Sequence, residues 1–208
     1  MKLNFVNRKI AIVLIVVIGF VISDIVSKEF SSKESILNNN NIVTRVHLEL
    51  EPISKIDLVK RSDMIIIGRI KNIKSSEVVS KIRKGETDIV SDLSVLIERF
   101  IRNPINYQQQ EIIVRTLGGE IPGKKMIITD MPSFIEEEKL FLFLRKGEGG
   151  VLVGDGEKNI FVIVGWGQGK YKINYDGRIG VGVEKNFLNR IFKKSEFTLE
   201  ELVRGVEE

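Results

Sequence analysis

The feature that most constrains the fold is a series of short segments rich in β-branched and aromatic residues, which begins at Thr44 and is interrupted by glycine- or proline-containing turns. Residues 44–50 alternate, with Val46, Leu48 and Leu50 on one face, as in a half-buried strand. Further strands are predicted at 64–73, 89–101, 111–117, 125–131, 139–145, 159–165 and 170–174. Many closely spaced strands with few helices are typical of an all-β sandwich or barrel.

Three details qualify this strand pattern. Gly68 lies inside the strand predicted at 64–73, where a glycine often indicates a bulge or a tight bend. The segment 89–101 also has apolar residues at helical spacing, but its β-branched content favours a strand. Residues 75–88 are rich in charged side chains and are expected to form a loop.

Two short helices are predicted. Ser54 is a suitable N-cap for a helix whose Ile56 and Leu58 face the core. Near the C-terminus, Thr198 and Glu201 have the spacing of a capping box, in which each side chain satisfies a backbone donor at the start of a helix. The apolar residues that would pack this helix onto the β domain are Leu199, Leu202, Val203 and Val206.

A partial phosphate-loop pattern lies at residues 117–125, where Gly118, Gly123 and Lys124 have the G-x-x-x-x-G-K spacing. A phosphate loop opens a helix whose N-terminal amides hold the phosphates. Here a β-branched run follows, and Lys125 replaces the Ser or Thr that would ligate Mg²⁺. We therefore predict a hairpin turn between antiparallel strands and no nucleotide site.

The N-terminus contains an apolar segment. Residues 10–22 include no polar side chain, and Arg8 and Lys9 precede them. This pattern predicts a signal anchor that leaves the tail in the cytoplasm and the rest of the chain outside. Val21 and Ser23 fit the −3 and −1 positions of a cleavage site, so a removed signal peptide is the alternative, and a buried helix is a third interpretation.

The charge distribution argues against nucleic acid as a partner. The first 28 residues contain four basic side chains and one acidic, which leaves 28 basic and 27 acidic in residues 29–208. The domain thus lacks the basic field that phosphate binding requires. The chain has no cysteine and one histidine, which excludes thiol chemistry, cysteine-based metal sites and most zinc hydrolases.

These observations predict four parts of the chain. They are a cytoplasmic tail at 1–9, a transmembrane anchor at 10–29, a linker at 30–43 and an external domain at 44–208. The linker is predicted because residues 31–41 are polar and rich in asparagine.

The stretch from Gly165 to Gly169 (GWGQG) is the most unusual local sequence. Together with Tyr171, its Trp166 and Gln168 form a possible platform for a sugar or peptide ligand. The alternative interpretation is that Trp166 closes the end of a small barrel. No catalytic, cofactor-binding or metal-ligating residues are predicted.

Other polar residues have structural interpretations. His47 lies on the polar face of a strand and is expected to be solvated or locally paired. The acidic run at 136–138 is expected to be a solvated turn that enters a strand. A carboxylate-dependent hydrolase would need two acids, such as Glu120 and Asp130, to converge in one cleft.

The order of the motifs resembles a group of uncharacterised exported or membrane-anchored prokaryotic proteins. The resemblance covers about residues 54–207 and follows the sequence Ser62-Asp63, MIIIGRI, VLIERFIRN, VRTLGGEIPG, MPSFIEEEKLFLFL, GQGKYKI and TLEEL. Glu137 stands where that group has glycine. More distantly, the arrangement is similar to netrin and TIMP-like modules, which are OB-type five-stranded barrels. Protease inhibition is not carried over, because TIMP-like modules use an N-terminal cysteine that this chain lacks.

The combined prediction is a mainly β protein, with an OB-like antiparallel β-barrel, a short C-terminal helix and one N-terminal transmembrane helix. The expected role is a non-catalytic module of the cell envelope that binds a protein or an envelope polymer. The alternatives are a secreted domain and a carboxylate-dependent envelope hydrolase.

Overall fold

The computed structural model describes residues 32–38, 41–48, 50–81, 83–129, 131–147, 152–153, 159–175, 178–181, 197–198, 203–204 and 206. The first elements are β1 (Ser32–Asn38), β2 (Asn41–His47), α1 (Lys55–Lys60), β3 (Met64–Val79) and β4 (Thr87–Arg102). The later strands are β5 (Glu111–Leu117), β6 (Gly119–Ile121), β7 (Lys124–Ile128), β8 (Lys139–Lys146), β9 (Ile160–Ile163), β10 (Lys170–Ile173), β11 (Arg178–Val181) and β12 (Phe197–Thr198). A short 3₁₀ turn, Val164–Gly167, follows β9. The mainly β prediction is confirmed.

Eight of these strands form one sheet in the order β12-β11-β10-β8-β3-β4-β5-β9. Because β9 also pairs with β8, the pairings among β3, β4, β5, β9 and β8 return to their starting strand. We call these strands the five-strand circuit. Within it, only the β5–β9 pairing is parallel.

The circuit has an apolar interior. On β5, Ile112 and Val114 point into it, while Ile113 and Arg115 point outward, as the two-residue period of a strand requires. The other strands contribute buried residues that include Ile66, Ile70, Leu93, Val95, Leu140, Leu142 and Phe161. This cluster anchors the domain through apolar burial.

Strands β3 and β8 are buried on both faces. Their second face forms another apolar cluster, in which Ile65 and Phe141 contact Leu58 of α1 and Tyr171 of β10. This explains why 64–67 and 140–144 are continuous apolar runs rather than alternating ones. Both runs were correctly predicted as strands.

The hairpin of β3 and β4 is longer than the sequence suggests. Residues 75–88 were predicted to be a loop, but β3 continues to Val79 and β4 begins at Thr87, so the loop is confined to 80–86. The register shifts between Ile67 and Gly68, which confirms the predicted irregularity. A Cβ at Gly68 would lie 2.6 Å from Val95 Cγ1, so glycine permits the close approach of β4.

A second, smaller sheet has the order β1-β2-β7-β6, and we call it the small sheet. The turn predicted at 118–123 is confirmed only at Pro122 and Gly123, where Ile121 pairs with Lys124 across a two-residue turn. Residues 119–121 form β6 instead of turn, and the antiparallel partner of β7 is β6 rather than β5. Val46 and Leu48 are buried as the alternation predicted, together with Met126 and Ile128 of β7. β2 and β7 are parallel.

Two predictions at the edges of the domain need correction. Residues 32–38 were predicted to be linker, but they form β1, because their backbone pairs with β2 over its full length. In α1, Ser54 caps the helix by accepting from Asp57 N and Leu58 is buried, as predicted. Ile56, however, is 66% exposed, because one short turn of helix presents little more than one side to the core.

The C-terminal helix is described at Val203, Arg204 and Val206, which are helical. Val203 is buried in the cluster around Leu58, and Val206 packs against it. Thr198, predicted to cap this helix, lies in β12, and residues 199–202 of the proposed capping box are outside the described residues. The predicted membrane segment at 10–29 is also outside them, and no helix long and apolar enough to cross a membrane occurs in the described ranges.

Candidate binding face and buried ion pairs

The loop after β9 has an unusual backbone. Gly165 has φ of 67° and Trp166 has φ of 59°, so both adopt the left-handed conformation, which is costly for a tryptophan. The Trp166 side chain packs against the apolar cluster of the small sheet, which includes Val46 and Ile128. Trp166 therefore joins the five-strand circuit to the small sheet.

Gln168 has its side-chain amide occupied by the backbone. Its Nε2 donates to the carbonyl oxygen of Glu51 at 3.0 Å, and its Oε1 accepts from the amide of Ile53 at 2.8 Å. Gln168 is buried. It fixes the segment before α1, and its amide is not directed toward a ligand.

Tyr171 is 2% exposed and lies inside the second apolar cluster. Its ring makes edge contacts with Phe141 and Phe143, at centroid distances of 6.5 and 5.9 Å. Burial strongly raises the pKa of the Tyr171 hydroxyl. Of the three residues predicted as a ligand platform, only Trp166 is partly exposed, so they do not form one accessible surface.

The sequence analysis missed a buried ion pair between Lys170 of β10 and Glu138, the residue that precedes β8. Lys170 Nζ lies 2.9 Å from Glu138 Oε2, and these side chains are 2% and 7% exposed. The same Nζ donates to the carbonyl of Ser133 at 2.5 Å and lies 4.4 Å from the ring centroid of Phe134. Lys172 reaches the other oxygen of Glu138 at 3.7 Å. We call this group the Lys170 cluster.

The Lys170 cluster corrects the prediction that the acidic run at 136–138 is wholly solvated. Glu136 and Glu137 are exposed, and Glu137 takes a left-handed conformation in the turn. Glu138 instead points inward and compensates Lys170. Burial is the main cause that lowers the pKa of Lys170, and the hydrogen bond with Glu138 opposes it.

A second ion pair lies on the outer surface of β4 and β5. Arg115 Nε and Nη2 donate to the two carboxylate oxygens of Asp92 at 2.7 and 2.9 Å. The Arg115 side chain is 7% exposed, whereas that of Asp92 is 28% exposed. This two-bond geometry holds the guanidinium in one orientation.

Around this pair the outer surface has both apolar and polar side chains. Next to it in the register, Ser94 pairs with Ile113 and Leu96 with Glu111. All four have outward-facing side chains, since the intervening Leu93, Val95, Ile112 and Val114 point into the circuit. At the far side, Lys71 Nζ lies 3.2 Å from Glu111 Oε2. We call the surface formed by Asp92, Ser94, Leu96, Ile113 and Arg115 the β4–β5 face.

Two loops border one end of the β4–β5 face. Arg115 Nη1 donates to the carbonyl of Leu152 at 3.3 Å, and Lys81 Nζ donates to the carbonyl of Val153 at 2.8 Å. The β3–β4 loop thus contacts residues 152–153, which lie between β8 and β9. Within that first loop, Arg83 is paired with Asp88 and Glu86.

A groove of about 390 Å³ separates the tip of the β3–β4 hairpin from the small sheet. Glu77 and Lys124 pair across it, with Lys124 Nζ 2.6 Å from Glu77 Oε1. The hydrogen bonds from Lys124 and then Thr87 lower the pKa of Glu77. These contacts make it a solvated polar groove.

The carboxylates proposed for a hydrolase are not shown to converge. Glu120 pairs with Lys125 at 2.8 Å and is largely exposed, while Asp130 lies outside the described residues. His47 is exposed, and its Nδ1 lies 3.0 Å from Thr129 Oγ1, which confirms the prediction of a locally paired histidine. Among the described residues, no three His, Asp or Glu side chains form a group that could hold a metal ion.

Comparison with known protein families and with curated proteins found no match to this chain.

Proposed function

We propose that the chain is a single-pass membrane protein of the cell envelope whose external β domain binds a protein or an envelope polymer without catalysis. The apolar segment at 10–22 supports the membrane location, since it is preceded by Arg8 and Lys9 and precedes a domain of nearly balanced charge. The resemblance of its motif order to exported or membrane-anchored prokaryotic proteins supports the same location.

The domain is proposed to be an OB-like barrel. The closed sequence of pairings through β3, β4, β5, β9 and β8 supports this shape, because a barrel is a sheet whose last strand pairs with its first. The apolar interior of that circuit supports it as well. In OB folds, the surface of the second and third strands and the adjacent loops bind ligands.

The β4–β5 face is the proposed binding surface, and it is the observation on which this function rests. β4 and β5 are the second and third strands of the circuit, and the loops at 80–86 and 152–153 border them. The face places apolar Leu96 and Ile113 beside the oriented Arg115–Asp92 pair. Partly exposed apolar groups beside fixed polar groups suit a protein surface or a polymer.

The charged groups in the interior also favour binding over catalysis. Among the described residues, the side chains of Asp88, Arg115, Glu138 and Lys170 are buried and charged, and each is in an ion pair. Groups held in this way organise the structure, which suits a binding domain. The proposed partner is not a nucleic acid, because the domain lacks a surplus of basic side chains.

A pull-down from solubilised membranes tests the binding surface. Full-length wild type is expected to recover a stoichiometric partner or to be retained by isolated envelope polymer. Ile113→Glu should abolish recovery, because it places a charge on the β4–β5 face. Ile56→Glu is the matched control: it makes the same substitution at an exposed position of α1 and should bind as wild type does.

Loss of binding in both variants, or in neither, would count against the β4–β5 face. A separate measurement addresses the membrane location: the intact mass of the protein in carbonate-washed membranes. A full-length mass is expected for an anchor. A mass that corresponds to a chain beginning near Asp24, found in the soluble fraction, would instead establish the secreted alternative.

A further inference from the structure

The start of β1 fixes where the domain meets the chain that precedes it. Ser32, the first residue of β1, pairs with His47, the last residue of β2. Because β7 runs parallel to β2, Ile128 and Thr129 lie at the same end of the small sheet. We call the end formed by Ser32, His47 and Thr129 the proximal end.

The opposite end of the small sheet is equally well defined. There Asn38 pairs with Asn41, and the amide of Ile42 donates to the carbonyl of Gly123 at 2.9 Å. Ile42 and His47 are five residues apart on one strand, so the two ends are separated by about 17 Å. We call this the distal end, and it includes the groove beside the β3–β4 hairpin.

The length of chain before β1 limits how far the proximal end can lie from the membrane. This step rests on the proposed function, in which residues 10–29 span the bilayer. Two residues then separate the span from Ser32, and three Cα steps of fully extended chain cover at most about 11 Å. Because residues 32–38 form β1 instead of the predicted linker, the start of the domain is held within about 11 Å of the end of the span.

We propose that the proximal end of the small sheet rests on the lipid headgroups, and that the distal end points away from the bilayer. Because the tether is short, the surface that this end contacts is the lipid surface. Arg45 and His47 are exposed there on the same side of β2, and Glu34 of β1 is the cross-strand partner of Arg45. This polar end is compatible with contact with the headgroups, and the tether holds it near them. The groove and the hairpin tip are consequently presented to partners beyond the membrane.

Single labels test this orientation, since the chain contains no cysteine. His47→Cys and Ile42→Cys place a fluorophore at either end of β2 in the full-length protein, reconstituted in phosphatidylcholine–phosphatidylglycerol vesicles with nitroxide-labelled headgroups. Quenching is expected to be at least about twofold stronger at position 47, given a separation of about 17 Å along the strand. Inserting twelve Gly and Ser residues between Ser31 and Ser32 should abolish this difference.

The outcomes separate the orientation from the anchor. Equal quenching, or stronger quenching at position 42, in protein that floats with the vesicles would overturn the orientation and leave the anchor standing. Protein that does not float with the vesicles would overturn both. A difference that persists after the insertion would also contradict the proposal, because the tether would not be its cause.

Discussion

Two of the ion pairs of the domain, Lys170–Glu138 and Arg115–Asp92, each join a cation to a carboxylate, but in different surroundings. Lys170 and Glu138 are both enclosed, and the ammonium also contacts the Ser133 carbonyl and the Phe134 ring. Arg115 is buried, but its partner Asp92 remains more than a quarter exposed. Water can therefore reach the Asp92 carboxylate and supply some of its hydrogen bonds, whereas it cannot reach the Glu138 carboxylate. The comparison indicates that the first pair holds loops to the core and the second orients a surface.

The largest effect is expected from Glu138→Ala. It leaves the Lys170 ammonium buried without its carboxylate, and such a loss costs about 3–5 kcal/mol of unfolding free energy. The measurement is urea unfolding of the full-length protein in detergent, followed by the fluorescence of Trp166, the only tryptophan. Replacing both partners, with Glu138→Leu and Lys170→Met, should recover much of the stability, since no buried charge remains.

A double variant as unstable as Glu138→Ala would show that the pair supplies more than charge compensation. The hydrogen bond from Lys170 to Ser133 would then be the next candidate, because it ties the segment before β8 to β10.

Asp92→Ala is expected to cost less, about 1–3 kcal/mol, because the guanidinium loses two hydrogen bonds at a site that water can approach. Arg115→Lys should not be tolerated as a conservative change, since an ammonium cannot donate to both carboxylate oxygens at once. Unfolding free energies of both variants check this. An Asp92→Ala loss equal to that of Glu138→Ala would remove the distinction between the two pairs.

The stability of the protein at alkaline pH tests the role of burial at Lys170. Burial lowers the pKa of Lys170 below its usual 10.5, so between the folded pKa and 10.5 the unfolded chain binds more protons. Stability should therefore rise with pH across that window through this group. Urea midpoints of wild type and Lys170→Met should diverge there, with the variant lacking the rise. Parallel curves would contradict the assigned role of burial.

A strand could be predicted from the sequence where its burial leaves a pattern of apolar residues within the strand itself. The 44–47 part of β2 and the strand β8 were predicted because alternation and a continuous apolar run reflect one and two buried faces respectively. The strand character of 75–79 was not predicted, because an exposed hairpin end needs no apolar face and is stabilised by its cross-strand partners. β1 was missed for the same reason: it is mostly polar, and its pairing with β2 rather than an apolar face makes it a strand.

The candidate site was less predictable than the fold. The Lys170 cluster joins residues 32 positions apart. Strand register alone does not predict this contact, because Lys170 pairs with Leu142 of β8 and Glu138 lies before that strand. Arg115 carried a signal, since it is the one cation inside the apolar strand β5, but its partner depended on the β4–β5 register. Trp166, Gln168 and Tyr171 are close in sequence, yet the 3₁₀ turn directs them into separate clusters.

The smallest effect is expected at the Glu77–Lys124 pair, which is more exposed to solvent than the Lys170–Glu138 and Arg115–Asp92 pairs. Hydrogen bonds from Lys124 and Thr87 lower the pKa of Glu77, so its contribution to stability is present at neutral pH and is lost as pH falls through that lowered pKa. Both side chains are about a third or more exposed, and surface pairs of this kind contribute little and are screened by salt. Glu77→Gln should leave the urea midpoint at neutral pH unchanged in high salt and lower it slightly in low salt. A salt-independent loss as large as that of Asp92→Ala would show that the groove excludes water, and exposure would then no longer rank the three ion pairs.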